Sequence, residues 1–194
     1  AALLYASNAA SPGLRPARRD ELLQRAVACL HDLEQLVTDM LGFARGASHA
    51  EGEAVLDDVA RAVRNAGQAL LRPGQALAVN GSCTGARVPG NRETLAGAIL
   101  NLVTNALQAA GPAAVVRVEL AAADGCATVT VTDNGPGVPV ALRERIFDPF
   151  YTSRPEGTGL GLAVVRSLAQ AHGGSVRVED AEPRRAMGNG RWRG

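Results

Sequence analysis

The chain has 194 residues, 46% of them hydrophobic and 20% charged, which suits one ordinary domain with a small helical attachment and excludes a wholly disordered chain. A formal net charge of +1 leaves no electrostatic footprint for nucleic acid or an anionic membrane, and 3% aromatics leave no stacking platform for single strands. All twenty basic residues are arginine, so lysine-dependent chemistry is excluded.

In chain order, residues 1–11 are apolar and helix-compatible and are broken by Ser11-Pro12-Gly13 and by Pro16. From residue 18 to 45, Leu23, Ala26, Leu30, Leu33, Val37, Met40 and Ala44 recur in steps of three and four, the seam of a bundle or coiled-coil helix, and Gly46 stops it. The expectation is a helical hairpin that buries this seam against a second copy. Residues 47–54 read as a linker. A helix is predicted over 55–71 and is stopped by Arg72-Pro73-Gly74. Short strands are predicted at 76–79 and 86–88. Asn91 is the predicted N-cap of a helix through 110, ended by Gly111-Pro112. Residues 115–121 and 127–132 alternate as a β-hairpin, a Gly/Pro-rich loop follows over 133–139, and a last helix over 160–171 leads to a strand at 175–179. This order suggests an α/β sandwich, one mixed sheet with helices on one face. Cys29, Cys83 and Cys126 are odd in number and lack metal-site spacing, so they read as free thiols in a reducing compartment. No apolar run approaches the roughly 18 residues of a membrane helix. A cytoplasmic location without membrane contact is expected.

Four motifs carry chemistry. Asn101 and Asn105 lie four apart on one helix face, where amide oxygens ligate a hard cation and amide nitrogens donate to phosphate. Asp133-Asn134-Gly135-Pro136-Gly137-Val138 follows a predicted strand, placing a carboxylate acceptor beside glycines that let a ligand approach the backbone. Ile146-Phe147-Asp148-Pro149-Phe150-Tyr151-Thr152-Ser153-Arg154 combines aromatics, Phe147 and Phe150 reading as a core plug, with a cation for phosphate. Gly157-Thr158-Gly159-Leu160-Gly161-Leu162 opens the last helix, where backbone N–H groups and the helix dipole favour an anion.

Together, in this order, the motifs resemble the N, G1, F and G2 boxes of the ATPase domain of sensor histidine kinases, over roughly residues 18–180. His172-Gly173-Gly174 is also typical of that family. The wording of the boxes is similar to kinases of the nitrogen-regulation and flagellar-regulation kind. The resemblance implies a Bergerat-type α/β sandwich over 55–180, preceded over 1–46 by a truncated dimerisation and phosphotransfer hairpin. It implies a homodimer through that hairpin and a response regulator receiver domain as partner. By the same resemblance, Asn105 would ligate Mg²⁺ on the ATP phosphates with Asn101 beside it. Asp133 would accept from the adenine amine, while Gly135, Gly137 and Val138 line the pocket. Residues 138–156 would form the lid, with Phe147 in it, and Arg154 would reach the phosphates. Gly157, Thr158, Gly159 and Gly161 would wrap them, and Leu160 and Leu162 would close the pocket side. The implied reaction is γ-phosphoryl transfer from ATP to a histidine.

The sequence departs from the family in four places. Asn101 stands where related hydrolases and serine kinases carry a general-base Glu, which argues against water or serine as acceptor. The H box is absent: His31, His49 and His172 each lack its pattern, so no phosphoacceptor is expected in the chain. Gln108 replaces a basic residue common in relatives. Residues 181–194 are Gly- and Arg-rich and read as an atypical tail. The expectation is a kinase fragment that binds ATP–Mg²⁺ without labelling itself. The alternatives are a non-catalytic nucleotide-binding and dimerisation module, and a related ATP hydrolase.

Overall fold

In the computed structural model the described residues are 1–46, 52–83, 85–154 and 157–181; the side chains at 31, 32, 34–36, 38–46 and 82 lie outside the described set. Met40, Ala44, His31 and His49, most of the predicted linker, and the tail from 182 onward therefore fall outside it. The chain falls into two compact units, one of residues Ala1–Glu51 and Arg145–Ser175, the other of Gly52–Glu144 and Val176–Gly194.

The first unit begins with α1 (Ala2–Ala9) and α2 (Pro16–Gly46), which pack on each other as a hairpin. Arg19 Nε donates to the Ala9 carbonyl at 3.2 Å, satisfying an acceptor at the end of α1, and the Arg25 guanidinium lies 6.0 Å from the centre of the Tyr5 ring. Of the predicted seam, Ala26 is buried, as is its neighbour Leu22, whereas Leu23, Leu30, Leu33 and Val37 are 45–59% exposed. The unit is completed by the short 3₁₀ turn Arg145–Phe147 and by α5 (Gly161–Ala171), whose Ala163, Val164, Val165 and Leu168 are buried and which packs against α2.

The second unit holds the large core. Strand β1 (Glu53–Val55) pairs antiparallel with β3 (Arg87–Pro89), so the predicted linker ends in a strand rather than running through residue 54. Helix α3 (Leu56–Gln68) carries Asp57 and Asp58 in its first turn, where they complement the helix dipole, and buries Leu56, Val59, Ala60, Val63 and Gly67 on one face. β2 (Ala76–Ser82) runs parallel to β4 (Val115–Ala123), and β4 pairs antiparallel with β5 (Cys126–Thr132), a mixed sheet of order β2-β4-β5. Arg64 on α3 reaches the Val79 carbonyl at 2.9 Å, covering an acceptor of β2.

Helix α4 (Arg92–Ala110) crosses from β3 to β4. It starts at Asn91, whose side-chain oxygen accepts from the N–H groups of Glu93 (2.7 Å) and Thr94 (3.3 Å), and it ends at Gly111, at φ 77°. Gln75 Nε2 donates to the Gly111 carbonyl at 2.8 Å. Val116, Val118 and Leu120 alternate inward along β4 and join Val59, Val63, Val103 and Leu107 in one core of buried side chains from the sheet and from α3 and α4. This is the mixed sheet with helices expected of the α/β sandwich.

Two expectations are corrected. The β4–β5 hairpin extends to Ala123 and Cys126, because Asp124 (φ 52°) and Gly125 (φ 74°) alone make a tight two-residue turn. The strand predicted at 175–179 does not form among the described residues: Arg177 pairs locally with Glu179 at 2.5 Å, and Asp180 pairs with Arg143.

The cap at Asn91 yields a stability prediction. Asn91→Ala should cost about 1 kcal/mol, read as a lower urea midpoint with an unchanged slope, whereas Asn91→Asp should stay near wild type.

Candidate functional site

In the second unit, Asn101 and Asn105 are half-buried on α4, and Val103, between them in sequence, is fully buried. That core contact fixes the helix rotation and keeps the two amides on a less buried face. The loop at 133–138 leaves the end of β5. Asp133 Oδ1 accepts from the Gly135 N–H at 2.8 Å, an Asx-type turn that fixes the carboxylate direction. Gly135 sits where a Cβ would stand 2.7 Å from Asp133 Oδ1, 3.2 Å from the Ala110 nitrogen and 3.3 Å from the Ala109 carbonyl carbon. The loop therefore lies directly on the C-terminal end of α4. Gly137 has φ 74° with open space around it.

Two side chains that sequence reasoning did not assign hold this loop. Asn134 Oδ1 accepts from the Val115 N–H at 2.7 Å, and its Nδ2 donates to the Ala113 carbonyl at 3.1 Å. Arg143 Nε donates to the Val138 carbonyl at 3.0 Å while its guanidinium pairs with Asp180. The hydrogen bond from Arg143 holds the Asp180 carboxyl below its ordinary range and raises the guanidinium. Asn134 lay inside a motif and could have been weighed as more than spacing. Arg143 carried no local signal, since its partners lie at 138 and 180.

In the first unit, Phe147 is buried, as its reading as a plug requires, but Phe150 is 66% exposed and has a left-handed backbone at φ 66°. The Phe150 N–H donates to the Gly159 carbonyl at 3.0 Å. Gly159 has φ 68°, and a Cβ there would stand 2.5 Å from the Phe150 carbonyl carbon and 2.8 Å from the Tyr151 nitrogen. Only glycine meets both conditions. The Thr152 hydroxyl accepts from the Arg154 N–H at 3.0 Å, and the Thr158 hydroxyl accepts from the Leu160 N–H at 3.3 Å. The Gly157 N–H is engaged by the Arg154 carbonyl at 3.2 Å rather than open to an anion. Leu160 is buried, Gly161 begins α5, and Leu162 is half-buried in its first turn. The Arg145 guanidinium stands 5.2 Å from the centre of the Tyr151 ring. Thus Asn101, Asn105, Asp133, Gly135, Gly137 and Val138 share one unit, and Phe147, Arg154 and Gly157 to Leu162 share the other.

Among the described residues there is no cluster of three His, Cys, Asp or Glu able to cage a metal ion. The two α4 amides are instead the type of donor that adds a single ligand to an ion otherwise held by phosphate and water, as Mg²⁺ prefers.

Residues 90–190 match the family described as histidine kinase-, DNA gyrase B-, and HSP90-like ATPase. The chain is 38% identical over 180 residues to the sensor protein kinase FleS of Pseudomonas aeruginosa, covering 92% of this chain and 44% of that protein. It is 34% identical over 189 residues to the signal transduction histidine-protein kinase/phosphatase MprB of a Mycobacterium species, covering 93% of this chain and 36% of that one. The chain thus spans less than half the length of these relatives. Among solved structures, full-length ShkA in complex with AMPPNP matches with a TM-score of 0.67 at 28% identity, over 91% of this chain and 38% of that chain.

The two glycine contacts separate space from backbone strain. Gly159→Ala meets backbone atoms and a positive φ, and should cost at least about 2 kcal/mol with faster amide exchange at residues 150 and 151. Gly137→Ala meets only the φ penalty and should cost about 1 kcal/mol without that exchange signature.

Proposed function

The chain belongs to the histidine kinase-, DNA gyrase B- and HSP90-like ATPase family, and on that premise we propose that it is the ATP-binding catalytic core of a sensor histidine kinase. It transfers the ATP γ-phosphoryl to a histidine, from which the group passes to a response regulator receiver domain. The observation that supports this best is the Asp133 side chain. One carboxylate oxygen is engaged by the Gly135 N–H, which fixes the carboxylate and leaves the other oxygen as the candidate acceptor. An adenine amine is the donor such an acceptor selects.

The roles follow residue by residue. Asp133 accepts from adenine, and Gly135, Gly137 and Val138 line the purine pocket. Asn101 and Asn105 orient the triphosphate through their amides, and Asn105 supplies an oxygen to Mg²⁺. The ion, when bound, neutralises charge that spreads over the transferring group. Arg154 and the backbone of Thr158, Gly159 and Gly161, joined by Gly157 once its N–H leaves the Arg154 carbonyl, stabilise phosphate oxygens at the start of α5. Leu160, Leu162 and Phe147 exclude water. The acceptor nitrogen attacks phosphorus, its P–N bond forms as the bond to ADP breaks, and no general base is needed because neutral imidazole carries a lone pair. Asn101 in place of a carboxylate fits that acceptor.

We assign none of the three histidines as acceptor. His172 Nδ1 lies 2.8 Å from the Leu168 carbonyl at the end of α5, a structural contact, and His31 and His49 lack the sequence pattern. The acceptor belongs to a sequence outside these residues. Residues 1–46 form part of a dimerisation hairpin, residues 55–180 the ATP-binding domain, and the dimer buries the exposed stripe of Leu23, Val27, Leu30, Leu33 and Val37 on α2. A cytoplasmic location fits the reaction, and among the described residues no helix is long and apolar enough to cross a membrane.

Equilibrium ATP binding with and without Mg²⁺ tests the reading. Asp133→Asn should lose about 2 kcal/mol, or about thirtyfold, of ATP affinity together with the preference for adenine. Asn105→Asp should change the metal dependence while leaving adenine preference intact. Unchanged binding in both variants would remove the assignments, and acid-labile self-phosphorylation of this chain would remove the acceptor assignment.

A further inference from the structure

Asn134 is exposed and sits in a glycine-rich loop, where an amide is ordinarily solvated. Its two bonds say otherwise. It accepts from Val115, the first residue of β4, and donates to Ala113 in the turn before it, one bond of each kind two residues apart. It follows the last backbone pair of the β4–β5 ladder, Arg117 with Thr132, so the side chain holds the chain to the start of β4 after the backbone ladder has ended. Ala113 closes the 3₁₀ turn after α4 and Val115 opens β4. The amide is therefore fastened to the junction between the helix that carries Asn101 and Asn105 and the central strand.

On one side of Asn134, Asp133 is turned by its bond to Gly135; on the other, Gly135 rests on the backbone of Ala109 and Ala110. Asn134 is tied to the turn and strand that follow α4, Gly135 rests on the last turn of α4, and Asp133 is tied to Gly135. We infer that Asn134 is a positioning residue that holds the Asp133 carboxylate in register with α4, setting nucleotide affinity and adenine selectivity without touching the nucleotide. The inference rests on the nucleotide-binding reading above. Its physical basis is preorganisation: a loop that had to find this position on binding would lose affinity, and an acceptor free to swing would discriminate less between an amine and a carbonyl on the purine.

The test measures ATP and GTP affinity across pH 5–8 on the full chain, with thermal unfolding of each variant. Wild type should prefer ATP, and Asp133→Asn should lose that preference. Asn134→Ala should bind ATP about tenfold more weakly with GTP affinity nearly unchanged, so that the ATP-to-GTP ratio falls. Asn134→Asp keeps the acceptor for Val115 but sets a carboxylate oxygen against the Ala113 carbonyl. Protonation restores a donor there, so its ATP deficit should shrink as the pH falls toward 5, while that of Asn134→Ala stays constant. A stability loss alone would not produce that pH profile. If wild type and Asp133→Asn differ as stated but both Asn134 variants keep wild-type affinity and selectivity within twofold, the inference fails and the site stands. Equal weakening of ATP and GTP in step with lowered melting temperature also defeats it. Wild type that binds neither nucleotide defeats the proposed function and the inference together.

Discussion

The candidate site in the second unit depends on one close approach. The backbone of the 133–138 loop comes so near the end of α4 that a single methyl at Gly135 would meet Ala109, Ala110 and Asp133 at 2.7–3.3 Å. Interiors are close-packed and do not yield smoothly to added atoms. The contact therefore makes the loop and the helix end one object. The core beneath α4, with Val103, Ala106 and Leu107 buried against the sheet side chains, fixes that object to the sheet. Asn101 and Asn105 are carried on a helix whose rotation is set by apolar packing, and Asp133 is carried on a loop whose position is set by the helix. Rigid support is what an electrostatic site requires, because donors and acceptors that need not reorganise act at full strength.

A comparable constraint operates in the first unit with different means. There the strain lies in the backbone: Phe150 adopts a left-handed conformation that a bulky aromatic tolerates poorly, and Gly159 packs against it at a distance no other residue allows. The surrounding bonds from Thr152, Thr158 and Arg154 close the segment on itself. The Gly157 N–H already has a partner in this arrangement, so anion binding there requires exchange of one hydrogen bond for another.

How much of this the sequence disclosed follows the range of the interactions involved. The Asn91 cap, the Gly111 stop and the β4–β5 alternation depend on residues within one or two turns of one another, and they lie where spacing alone places them. The Asp124-Gly125 turn was within reach too, since paired positive φ values favour that dipeptide, but the hairpin was read as shorter. The pairing of Glu53–Val55 with Arg87–Pro89 was not legible, because three-residue strands show no periodicity and find their partner across α3 and β2. The strand predicted at 175–179 is not formed among the described residues, since a strand exists only where a neighbour completes it. The motif residues suggest a chemistry by type and order. The bonds of Asn134 to Ala113 and Val115 were invisible, because they cross from a loop to the start of another strand.

The parallel ladder between β2 and β4 joins Ala76 to Val115 and Ser82 to Ala121, with all of α4 lying between the paired strands in the chain. A parallel pair cannot close through a tight turn, so the intervening chain must span back along the sheet at an entropic cost of closure. The helix bearing the paired amides is that crossover, so one segment both joins the two strands and carries the amides.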